Sequence, residues 1–167
     1  MSVGTGVANL NSELINQLNN PTPDNQQIVI FGYSQGGAVV STELSNLAGL
    51  DQATKDRISV VTIGNILGPQ GLWTRLSLLP TIPILTITFG PTLSTNIGIK
   101  STNYDFEYDP VGDAPLYLLY PPALLNAPAA FEYVHGNYLV PNSNDPTGSL
   151  PYGYTNATLA AAISDPA

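Results

Sequence analysis

Ser34 stands at the centre of Gly32-Tyr33-Ser34-Gln35-Gly36, a spacing that suits a nucleophilic hydroxyl held in a sharp turn. A serine hydroxyl attacks poorly until a base takes its proton, and that base needs a carboxylate to orient it. The base available is His135, the single histidine of the chain. Ahead of it lies a cluster of acids, Asp105, Glu107, Asp109 and Asp113, so the chain order is Ser, Asp, His. An orienting carboxylate belongs on the loop just past a strand end. Asp113, in Gly112-Asp113-Ala114-Pro115, is favoured on that ground. Asp109, immediately next to the expected strand, is the alternative acid and could instead cap or brace the loop. The backbone N–H of Gln35, at the start of a helix, would point toward a developing oxyanion and gain from the helix dipole. An inert serine in a glycine-rich strand-to-helix turn is the competing reading.

Holding Ser34 in this way requires a strand before it and a helix after it. Ile28-Val29-Ile30-Phe31 is a continuous apolar run of the kind found in a parallel strand covered on both faces, and Gly32 closes it. From Gln35 to Leu47 the apolar spacing becomes helical, with Gly49 as a C-terminal stop. Bulky neighbours two positions either side of the nucleophile would collide with the strand or the helix, a need that Gly32 and Gly36 meet and to which Gly37 adds room. A second buried strand at Ile58-Ser59-Val60-Val61-Thr62-Ile63 completes a strand-helix-strand unit and predicts a parallel sheet in an α/β fold.

Upstream, Val3, Val7, Leu10, Leu14 and Leu18 recur at helical spacing, predicting an amphipathic helix over 3–18 that ends before Pro21. Residues 68–91 are apolar but broken by Pro and Gly, and Leu72, Trp73, Leu76, Leu78 and Leu79 could line a pocket or simply cover the sheet. A third strand is expected over 102–108. A Pro-interrupted helical or irregular excursion over 116–130 then precedes Phe131-Glu132-Tyr133-Val134-His135, with His135 on a loop leaving the sheet. Beyond Pro141 the composition is loop-like. No internal repeat or interdomain linker is visible, so residues 1–167 read as a single domain.

The rest of the composition narrows the function by exclusion. Charged residues make up 10% of the chain against a usual quarter, and the net charge is -8. The four basic residues, Lys55, Arg57, Arg75 and Lys100, are scattered, which argues against nucleic-acid binding. With no cysteine and one histidine, neither a thiolate nor a zinc site is expected, and no cofactor is implied. No stretch is apolar for the length of a membrane span, and the N-terminus has no signal-peptide pattern.

Taken together, Gly32-Tyr33-Ser34-Gln35-Gly36-Gly37, Asn65 with Gly68-Pro69-Gln70-Gly71, the stretch from Tyr108-Asp109-Pro110-Val111-Gly112-Asp113 to Tyr117, and Tyr133-Val134-His135-Gly136-Asn137-Tyr138 resemble the mycobacterial PE-PPE domain. The resemblance spans roughly 2–138. It implies a cutinase-like serine α/β-hydrolase, a mostly parallel sheet flanked by helices, with Ser34, an aspartate of the 109–113 loop and His135 as the triad. The Gly-Asp pair resembles the acid loop of cutinases, in support of Asp113. The resemblance also implies a partial domain, lacking the first strand and a glycine-rich loop that contributes to the oxyanion hole. An export-associated segment would place such a protein in the cell envelope or outside the cell. The expected function is hydrolysis of acyl esters or lipids. Acyl transfer to a glycolipid by the same triad, or a catalytically silent surface module, are the alternatives.

Overall fold

The computed structural model describes residues 2–23, 26–77 and 96–139. Helix α1 (Val3–Asn19) begins where the Ser2 hydroxyl accepts the Thr5 N–H, a conventional N-terminal cap. Strand β1 (Ile28–Tyr33) leads through Ser34 into α2 (Gln35–Asn46), which continues into a 3-10 turn at Leu47–Gly49. The short helix α3 (Gln52–Lys55) is capped by Asp51 and feeds β2 (Ile58–Ile63). Then come the short helix α4 (Leu72–Leu76), strand β3 (Lys100–Tyr104), helix α5 (Pro121–Tyr133) and a 3-10 turn at His135–Asn137.

Among the described residues, three strands form one parallel sheet in the order β1-β2-β3, an α/β architecture as expected. Ile28 pairs with Ile58 and Tyr33 with Ile63, while Ile63 pairs with Tyr104 on its other side. This register brings the carboxyl ends of all three strands to one edge, where open α/β sheets place their ligands. The core lies between the sheet and the first two long helices, with Leu14, Val40 and Leu44 packed on Ile30, Ile58 and Val60.

Three local expectations need correction. β1 was expected to be covered on both faces, yet Val29 and Phe31 are 65% and 54% exposed, because α1 and α2 both pack on the face carrying Ile30. β3 spans Lys100–Tyr104 rather than 102–108: beyond Tyr104 the chain turns, with Tyr108 at φ 67. The helical or irregular excursion expected over 116–130 is helix α5, which starts only at Pro121 and runs on to Tyr133. Pro121 and Pro122 open that helix, where a missing N–H is harmless, and Pro128 lies inside it. Leu78 and Leu79, expected as pocket lining, lie outside the described residues.

Candidate active site

The turn between β1 and α2 holds Ser34 at φ 55 and ψ -118, a region that non-glycine residues rarely occupy. Such strain persists only where the surroundings enforce it. Here the Ser34 N–H is bound to the Ile63 carbonyl at 3.1 Å, and the Ser34 carbonyl accepts the Gly37 N–H at 3.0 Å. The residues around the turn are fixed as tightly. A Cβ on Gly32 would lie 2.8 Å from the Gly36 carbonyl oxygen, and one on Gly37 would lie 2.5 Å from Asn65 Oδ1. Gly36, expected to be needed for room, instead faces open space. Steric pressure thus falls on Gly32 and Gly37.

Ser34 Oγ lies 2.8 Å from His135 Nε2. On the far side of the ring, His135 Nδ1 is 2.9 Å and 3.0 Å from the two carboxylate oxygens of Asp109. Asp109 is fully buried and His135 nearly so. An imidazole bridging a hydroxyl and a carboxylate can take the hydroxyl proton at one nitrogen while the carboxylate fixes its tautomer at the other. His135 arrives at this position from the C-terminus of α5, in a 3-10 turn, rather than from a loop leaving the sheet.

The acid against the imidazole is Asp109, the alternative, and not Asp113. The cause is the early end of β3, which makes Asp109 itself a loop residue at the sheet edge. From there Asp109 N–H bonds the Phe106 carbonyl and Asp113 N–H bonds the Asp109 carbonyl, so the loop winds and carries Asp113 one turn further away. The Asp113 carboxylate accepts the Tyr108 N–H at 3.1 Å. Burial pushes its pKa up, with the nearby Arg75 guanidinium pulling the other way. Asp105 is likewise not in contact with the ring: it accepts the Asn65 N–H and a short hydrogen bond from the Asn103 amide. Burial raises its pKa to about 7 in spite of those donors. Glu107 is exposed.

Several supporting residues escaped the sequence reading. Tyr138 donates its hydroxyl proton to Asp109 Oδ2 at 2.7 Å, accepts the Phe106 N–H at 2.6 Å, and stacks on the Phe106 ring. Burial, with the Asp109 charge second, raises its pKa. Tyr33 donates a short hydrogen bond to the His135 carbonyl. Asn65, fully buried, donates to Ser41 Oγ and accepts the Leu67 N–H. Gly64, at φ 52, leaves the space that lets the ring close: a Cβ there would lie 3.0 Å from His135 Cε1 and 3.1 Å from Asp109 Oδ2. Tyr33, Asn65 and Tyr138 stand within the motifs quoted above, and Tyr138 follows His135 by only three residues, but neither signal assigned them these contacts.

Gln35, first residue of α2, lines a groove of about 410 Å³ together with Ser34. Its other walls include Ile66, Leu72, Trp73, Pro110, Val111 and Phe131, an apolar surface beside the hydroxyl. Leu76 is not among them. Among the described residues, no group of three His, Asp or Glu side chains could hold a metal ion, and no helix is long and apolar enough to cross a membrane.

The family model for the PE-PPE domain matches residues 1–158. Among curated proteins, the chain is 34% identical over 142 residues to Uncharacterized PPE family protein PPE28 of Mycobacterium tuberculosis (strain ATCC 25618 / H37Rv), covering 83% of this chain and 21% of that protein. It is 30% identical over 168 residues to Esterase PE16 of the same strain, covering 97% of this chain and 28% of that protein. The chain thus spans between a fifth and a third of the length of these relatives. No solved structure matches. With the family model matched over nearly the whole chain, the chain belongs to the PE-PPE domain family.

Proposed function

We propose that this protein is a serine ester hydrolase acting on esters with an apolar acyl chain. The observation that carries the proposal is the continuous contact from Ser34 Oγ through His135 to Asp109, with the serine strained into the turn that exposes it. Ser34 Oγ attacks the ester carbonyl carbon as His135 Nε2 takes its proton, and the carbonyl π electrons move onto oxygen. The Gln35 N–H, at the positive end of α2, supports that oxyanion. As the tetrahedral species collapses, the C–O bond to the alcohol breaks and the alcohol leaves with the proton from Nε2. Water then repeats the sequence on the acyl-enzyme, releasing the acid and restoring Ser34. Asp109 holds the imidazole and balances its transient positive charge.

The apolar groove beside Ser34 supports an acyl rather than a charged substrate, and the similarity to a protein named an esterase agrees with this reading. Turnover of p-nitrophenyl butyrate, with Ser34→Ala as control, tests it. The wild type should release p-nitrophenol and label with a fluorophosphonate, and the variant should do neither. Equal turnover and labelling by both proteins would refute the assignment.

A further inference from the structure

Helix α5 presents its side chains in the reverse of the usual order. The small ones, Ala123, Ala127 and Ala130, recur at helical spacing on the side that is partly or fully buried against the protein. The large apolar ones face solvent: Leu124 and Phe131 stand two turns apart on one stripe, with Leu125 beside them at 83% exposed. A helix packed only for the sake of its own core would turn its leucines inward, because the larger side chain removes more apolar area from water. The chain leading into α5 repeats the pattern, with Tyr117, Leu119 and Tyr120 all exposed. The Tyr120 N–H bonds the Tyr117 carbonyl and the Leu124 N–H bonds that of Tyr120, so turn and helix form one continuous unit. Contiguous apolar exposure of this kind marks a surface with a partner.

Charge narrows what that partner is. From Ala114 to Phe131 no residue is charged, in a chain of net charge -8, and the acids Asp113 and Glu132 bound the stretch on either side. Helices that attach to anionic membranes carry Lys and Arg for the headgroups, and this stretch has none. In protein interfaces the binding energy is carried mainly by Trp, Tyr and Arg, with leucine under-represented. Tyr117-Leu118-Leu119-Tyr120 sets two leucines between two tyrosines, a composition suited to a lipid–water boundary, where the ring sits among acyl chains and the hydroxyl stays wet. At 13 residues α5 is about 20 Å long, short of the roughly 30 Å of a bilayer core, so it can lie on such a surface but not cross it.

We propose that the 116–131 face docks on a lipid surface without net charge, with α5 lying in its plane. Phe131 belongs both to this face and to the walls of the groove at Ser34, so an acyl chain passing from the lipid to the hydroxyl meets apolar side chains at the crossing. That delivery rests on the proposed reaction at Ser34, whereas the docking itself does not.

The test is flotation of the Ser34→Ala protein, which cannot turn over the lipid by way of the serine, with vesicles of phosphatidylcholine and of phosphatidylcholine mixed equally with phosphatidylglycerol. The protein should float with the first. At low salt it should bind the second about 5-fold more weakly, the effect of one like charge close to a charged leaflet, and the difference should close at high salt. Adding Leu119→Glu and Leu125→Glu together should weaken binding to phosphatidylcholine at least about 10-fold while leaving the unfolding midpoint unchanged, since both side chains are exposed. Four results would each overturn the proposal: no flotation with phosphatidylcholine, tighter binding to the anionic vesicles, undiminished flotation of the double variant, or a collapse of its unfolding midpoint, which would mean that the protein itself covers this face. A wild type that sediments as a dimer, and a double variant that sediments as a monomer, would likewise replace the lipid by a second copy of the chain. Absence of Ser34-dependent turnover in the wild type would overturn the hydrolase reading and leave the flotation result standing.

Discussion

Asn substitution at Asp109 and at Asp113 separates two acids that lie four residues apart. Asp109 accepts from His135 Nδ1 through both oxygens, from the Val111 N–H at 2.8 Å and from the Tyr138 hydroxyl. In Asp109→Asn an amide NH2 can turn toward Nδ1, which must then act as an acceptor. The ring proton moves to Nε2, where it faces Ser34 Oγ, and the base is lost. Loss of the orienting carboxylate in a serine triad lowers kcat by about 10,000-fold, equivalent to about 5.5 kcal/mol in the barrier. Asp113 accepts one backbone N–H, from the exposed Tyr108, and an asparagine oxygen can take the same bond. Asp113→Asn should therefore change kcat by less than about 3-fold, since a single neutral hydrogen bond is kept. The assay is initial-rate hydrolysis of p-nitrophenyl butyrate, with unfolding curves to show that both variants are folded. A large loss in Asp113→Asn together with a small one in Asp109→Asn would refute the assignment of the acid.

Removing the Tyr138 hydroxyl in Tyr138→Phe takes one donor from the Asp109 carboxylate and should lower kcat about 10-fold, with KM nearly constant, because a hydrogen bond to a charged group is worth about 1.5–3 kcal/mol; steady-state kinetics would show instead an unchanged kcat if the hydroxyl only stabilises the fold. Gly37→Ala drives a methyl into the buried Asn65 amide and should destabilise the protein by about 1–3 kcal/mol, whereas Gly36→Ala enters open space and should be neutral or slightly stabilising. Denaturant melts giving the reverse order would mean that Gly36 is the constrained position. Burial raises the Asp105 pKa from 3.8 to about 7 in the folded state, so the folded form binds this proton more tightly than the unfolded one. Its contribution is fully present below the unfolded value and is lost as pH rises through about 7, with a slope of up to about 1 kcal/mol per pH unit after allowing for partial solvent screening. Unfolding free energies at pH 5, 6 and 7 should fall along that series, and Asp105→Asn should flatten the trend whatever its absolute stability; an unchanged slope in the variant counts against it.

The local parts of this protein were legible in the sequence. Apolar periodicity and glycine placement identified β1, α2 and β2, the parallel pairing and the position of Ser34, because a strand, a sharp turn and a helix are decided by neighbours in the chain. His135 needed no geometry, being the only histidine. The tertiary structure decided which acid meets it, since Asp109 is 26 residues from His135 and the outcome depends on where β3 stops and how the following loop winds. It also decided that a helix delivers His135 and that Tyr138 completes the shell around Asp109. Of the two glycines that follow Ser34 and Gln35, it assigned the steric constraint to the second, because Asn65 approaches from 28 positions away, across the sheet edge, to press on Gly37. Contacts of that range carry no periodic signature: they arise when three parallel strands end side by side and their loops compete for the same small volume.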